Sequence, residues 1–95
     1  MQCYDFVQGN ILEVAKSDER RVALKKLHSN AKFEQHAIKQ VLDLNMQDAN
    51  AHERPISLWG NEVWLWGNRI LFPRPVAQTA GVLFATMVRS GSVGQ

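Results

Sequence analysis

Ninety-five residues, 45% hydrophobic and 21% charged with a formal charge of +2, give a chain long enough for one modest core and too short for two. That balance excludes the low-hydrophobicity, high-charge regime in which chains stay disordered. A single cysteine, Cys3, excludes an internal disulfide and a multi-thiolate zinc site, so a reducing, cytoplasmic setting is expected.

The N-terminal stretch MQCYDFVQGN has no basic start followed by an apolar run, and the longest nearly apolar run, 82–88, is far too short to span a bilayer. A soluble, untargeted chain with no membrane partner is therefore expected. Within the first fifteen residues, the Gly9-Asn10 pair suits a hairpin between 4–8 and 11–15, while Ile11, Leu12 and Ala15 equally suit the start of a helix.

Ser17 is placed to cap a first helix, with Asp18 and Glu19 in the turn where negative charge complements the helix dipole. Ala23, Leu24 and Leu27, with Ala31 nearby, form a narrow apolar side. Arg21, Lys25, His28 and Lys32 follow one another on the other side as a cationic stripe. Between residues 16 and 39, seven basic side chains stand against three acidic ones, which makes an anionic partner conceivable.

The Ser29-Asn30 pair breaks the pattern, and Asn30 is expected to cap a second helix over 31–45. Phe33, Ala37, Val41 and Leu44, flanked by Ile38 and Leu42, recur at helical spacing. Lys32, His36, Lys39 and Asp43 fall on the far side, with Lys39 and Asp43 spaced for a surface pair. The polar stretch 47–55 then reads as a loop closed by Pro55.

Beyond Pro55 the period changes to alternation, and the phrase Leu-Trp-Gly-Asn occurs twice, at 58–61 and 65–68. Gly-Asn is a good two-residue turn, since glycine takes positive φ freely and asparagine tolerates it. The spacing predicts a three-stranded meander, 56–59, 62–66 and 69–72, with Trp59 opposite Glu62 and Trp66 opposite Arg69.

In that register Ile56, Leu58, Val63, Leu65, Ile70 and Phe72 share one face, and a one-residue slip in either turn is expected to mix the sets. The other face carries Ser57, Trp59, Glu62, Trp64, Trp66, Arg69 and Leu71. The prolines of Phe72-Pro-Arg-Pro75 end the meander. Segments 76–78 and 82–88 suit a last hairpin around Thr79-Ala-Gly81, and a helix over 80–89 capped by Thr79 is the alternative.

These elements compose an α+β domain over 1–89, with two central helices packed on one face of a small antiparallel sheet, followed by a flexible tail, 90–95. All three tryptophans lie on the sheet face turned away from the helices. Such a surface needs cover by the N-terminal segment with Tyr4 and Phe6, by the C-terminal segment with Phe84 and Met87, by a second copy, or by another protein.

Trp59, Glu62, Trp64, Trp66, Arg69 and Leu71 are therefore the candidate interaction face, Trp with Arg and Glu having the make-up of a protein interface. The expected function is a non-catalytic module that self-associates, a dimer first. A nucleic-acid binder is the competing expectation, using the aromatic sheet face with Arg74 nearby or the stripe of Arg21, Lys25 and Lys32. In this architecture the two surfaces lie on opposite sides of the sheet, so one strand does not reach both.

Catalytic patterns are missing from the sequence. His28 and His36 are eight residues apart across a helix break, without the four-residue spacing that puts two imidazoles on one metal. Cys3 has no neighbouring histidine, and no glycine-rich loop leads into a helix. No enzyme activity, metal or cofactor is expected.

Overall fold

Ser17 adopts an extended conformation (φ −138°, ψ 158°) and its hydroxyl accepts the Arg20 amide at 3.2 Å, starting helix α1, Asp18–Ser29. The computed structural model describes residues 3–8, 10–48 and 60–89. Ala23, Leu24 and Leu27 of α1 are buried, while Arg21, Lys25 and His28 are exposed on its other side.

Asn30 closes α1 instead of opening the next helix. Its amide donates to the Leu27 carbonyl at 3.2 Å, and its side-chain oxygen accepts the Lys32 and Glu34 amides at 3.1 and 3.4 Å. A short polar side chain bonded this way holds the following residues out of helix. The chain passes through Phe33 at φ +47° before helix α2, Gln35–Met46, begins, so Ala31 and Lys32 stand in a turn and not on the helix.

Helix α2 buries Ala37, Ile38, Val41, Leu42 and Asn45, a face rotated from the predicted one towards Ile38 and Leu42. Phe33 and Leu44 are only partly buried. On its outer side Lys39 Nζ meets Asp43 Oδ2 at 3.0 Å, the pair that the spacing predicts.

The α+β class holds, but the sheet is mixed, not antiparallel. Strand β1 (Cys3–Asp5) runs parallel to β3 (Asn68–Leu71), which pairs antiparallel with β2 (Glu62–Leu65), in the order β1-β3-β2. A parallel pair needs a long crossover, and α1 and α2 lie in the chain between β1 and β3. The N-terminal segment does not form the expected hairpin and meets the helical alternative only in one short element. Asp5 Oδ1 accepts the Val7 and Gln8 amides at 2.8 and 3.2 Å, turning the chain out of β1, and a short 3-10 helix, Asn10–Val14, buries Ile11 and Val14.

The hairpin turn sits one residue earlier than predicted. Trp66 (φ +51°) and Gly67 (φ +80°) are its central residues, Leu65 lies opposite Asn68, and the ladder continues to the Phe72 amide on the Asn61 carbonyl at 2.8 Å. Moving a two-residue turn by one position shifts the pairing by two, so the faces are kept. Val63, Leu65, Ile70 and Phe72 are all buried, correcting the expectation that such a slip mixes the sets. The predicted strand 56–59, with Trp59, and the tail 90–95 lie outside the described residues.

The expected last hairpin is replaced by a single long helix, α3, Arg74–Arg89, which contains the alternative helix and starts well before Thr79. The Pro73 carbonyl accepts the Ala77 amide at 3.0 Å, and Pro75 falls in the first turn, where a missing amide hydrogen costs nothing. Val76, Ala77, Ala80 and Met87 are buried.

Three helices, not two, thus share one core cluster with the sheet. A gap of about 10 Å³ among Leu27, Val41, Val63, Leu65, Phe72 and Val76 is at the lower limit for one water. At one end Phe6 stacks on Phe72 with centroids 4.5 Å apart, and the His28 ring lies 5.4 Å from Phe6.

Candidate interaction face

Because strand side chains alternate, the burial of Val63, Leu65 and Ile70 turns Glu62, Trp64, Arg69 and Leu71 to the opposite face. Strand β1 adds to it. Its register sets Cys3 beside Arg69 and Asp5 beside Leu71, so the face reads in two rows, Cys3–Arg69–Trp64 and Asp5–Leu71–Glu62. Tyr4, beside Ile70, points inward and packs on the core.

Arg69 reaches diagonally across the hairpin to Glu62, Nη2 to Oε2 at 2.7 Å, with side chains 41% and 29% exposed. The charge on this face is thereby largely satisfied within the chain. Trp64 and Leu71 are half-buried and belong neither to the core cluster nor to the partly buried side chains packed against it.

Trp66 is not on this face. As a turn residue it is buried to 8% exposure and held from three sides: its amide donates to Asn45 Oδ1 at 2.8 Å, its indole Nε1 to the Leu44 carbonyl at 3.3 Å, and the Arg20 guanidinium lies 4.7 Å from its ring centroid. Arg20 is itself anchored on Asp48, Nη2 to Oδ2 at 3.2 Å. The sequence did carry a signal for this arrangement: Asn45 is a polar residue one turn beyond Val41 on the apolar side of α2. Arg20 and Asp48, far apart in the chain, gave none.

The expected nucleic-acid contacts are spread over α1, the turn before α2 and the start of α3. Arg21 and Lys25 are exposed one turn apart on α1, with Arg21 3.5 Å from the largely exposed Asp18. Lys32 is exposed in the turn before α2, and Arg74 is exposed at the start of α3.

Among the described residues no cluster of histidine, cysteine and carboxylate is placed to hold a metal ion, and no helix is long and apolar enough to cross a membrane. His36 Nδ1 lies 3.3 Å from Glu34 Oε2 on the surface. An open groove of about 390 Å³ lies between the end of α1 and α2, lined by Lys26, Ser29, Asn30, His36, Ala37 and Gln40, and the Ser29 hydroxyl donates to the Lys26 carbonyl at 3.2 Å. Against this geometry, no family model, no curated protein and no solved structure matches the chain.

Proposed function

We propose that this protein is a small non-catalytic interaction module that self-associates through the outward face of its sheet, a twofold dimer being the simplest product. The observation that carries the reading is Trp64 and Leu71 standing outside the core beside an ion pair closed within the same chain. Trp and Arg are the residues that most often anchor interfaces, and a pre-paired Glu62–Arg69 enters a contact without demanding a countercharge. A twofold contact needs only one self-complementary surface. Another protein is the alternative occupant, and the single exposed Cys3 supports a reducing, cytoplasmic setting.

Light scattering on a size-exclusion column tests the reading. Wild-type protein should elute at a multiple of the 10.8 kDa chain, and Trp64→Ala should shift the mass towards the monomer while far-ultraviolet circular dichroism stays unchanged. A wild-type monomer at every concentration, or a Trp64→Ala chain that unfolds, sinks it.

The exposed cations Arg21, Lys25 and Lys32 favour nucleic acid as the second reading. Its stacking-platform form is weakened by Glu62, which occupies the Arg69 guanidinium that a phosphate would need. A salt-sensitive affinity for oligonucleotide, lost when Arg21, Lys25 and Lys32 become Gln, would support it.

A further inference from the structure

The solvent side of α3 differs from that of the other helices. Between Pro75 and Val88 it carries no charged residue, whereas α1 presents Asp18, Glu19, Arg21, Lys25 and Lys26. Two of the large hydrophobic side chains most open to solvent are on α3, Val82 at 67% and Val88 at 47%. A stable surface helix normally puts charged and polar residues outward.

At 3.6 residues per turn, Val76, Ala80, Leu83 and Met87 point to the core, and Gln78, Val82, Ala85 and Arg89 run down the opposite side in steps of four, three and four. That is the spacing of a helix-pairing seam. A groove of about 380 Å³, walled by Gln35 of α2 and by Gln78, Thr79, Val82, Leu83 and Thr86, opens beside it with room for side chains of a second helix.

The order of the seam says what fits it. Turned end for end, it matches itself: Val82 meets Ala85 of the second copy, large against small, and Gln78 meets Arg89, an amide oxygen against a guanidinium. On the flanks Gly81 meets Val88, small against large, and Thr79 meets Thr86. Arg74 falls beyond the last helical residue of the second copy, so no like charges meet. A parallel pairing would instead set Arg89 against Arg89.

We propose that α3 is a second self-association surface, pairing antiparallel with α3 of another copy about a twofold axis level with Leu83 and Phe84. It does not depend on the sheet face, which lies on the other side of the core. Two different twofold contacts on opposite sides of one chain build pairs of pairs or longer rows, where one contact stops at a dimer. A two-helix contact is small among protein interfaces, so the pairing is concentration-dependent.

Oxidative cross-linking tests the register in a Cys3→Ser background. In Gln78→Cys/Arg89→Cys the two new thiols lie about 16 Å apart along one helix, beyond the reach of a disulfide, so a bond forms only between copies. Mild oxidation should convert most of this variant to a species of twice the 10.8 kDa chain on a non-reducing gel. It should leave Gln78→Cys/Ala85→Cys, one turn out of register, almost entirely monomeric.

All three positions are exposed, so the core is undisturbed, and adding Trp64→Ala should not reduce the cross-link. A first variant that stays monomeric, a control that cross-links equally, or a cross-link lost with Trp64→Ala overturns the proposal. The sheet-face reading is judged separately by the effect of Trp64→Ala on the mass of the otherwise unaltered chain.

Discussion

A bulky residue held at positive φ costs about 1–3 kcal/mol, so Trp66 at φ +51° must be repaid by its surroundings. Burial of its indole, worth about 1.5–3 kcal/mol, and bonds to Asn45 and Leu44, worth about 0.5–1.5 kcal/mol each, are sufficient. The three tryptophans are thus not equivalent. Trp66→Ala should destabilise by about 3–5 kcal/mol in urea unfolding, while Trp64→Ala should cost about 1 kcal/mol or less. Asn45→Ala, which strands a buried amide, should cost about 1–3 kcal/mol. Equal losses at Trp64 and Trp66 would mean that Trp64 is also core.

The elements divide by how local their causes are. Helix α1 is set by a cap and a short apolar stripe, both close in sequence, and Ser17→Ala should lower stability by about 1 kcal/mol. The β2–β3 hairpin was legible in its faces but not in its turn, because alternation is indifferent to a shift of pairing by two residues. What chose Trp66-Gly67 over Gly67-Asn68 was the site on α2 that receives the indole, contributed by residues some twenty positions away.

Gly67 at φ +80° has nothing within 4 Å of the place its Cβ would take, so Gly67→Ala should cost only the conformational term, about 1–2 kcal/mol. Gly67→Asn should cost less, because asparagine tolerates that backbone; the reverse order in denaturant midpoints would show that the turn is not held there. Over the α3 segment the sequence suits both a helix capped by Thr79 and a hairpin, because Thr79-Ala-Gly81 resembles a turn. Burial of Val76, Ala80 and Met87 along one stripe outweighs that local preference.

At the scale of the molecule, the helices and the inward sheet face close one core, and the charged, aromatic and uncharged surfaces are left on separate sides. If the sheet face and α3 both associate, Trp64→Ala and Val82→Glu should each lower the assembly mass in light scattering, and together should give a monomer. Replacing Arg21, Lys25 and Lys32 with Gln should leave that mass unchanged, since these residues touch neither surface.

The sequence by itself determined the α+β class, the cap and inward side of α1, the body of α2, and which residues of β2 and β3 face inward, because each follows from a local period or a single cap. Only the tertiary structure decided that β1 lies parallel to β3, that Trp66 leaves the outward face for a seat beside Asn45 and Arg20, and that residues 74–89 are one helix. Those outcomes depend on contacts between residues distant in the chain, where the burial of a whole side chain outweighs the smaller energies of turn and strand preference.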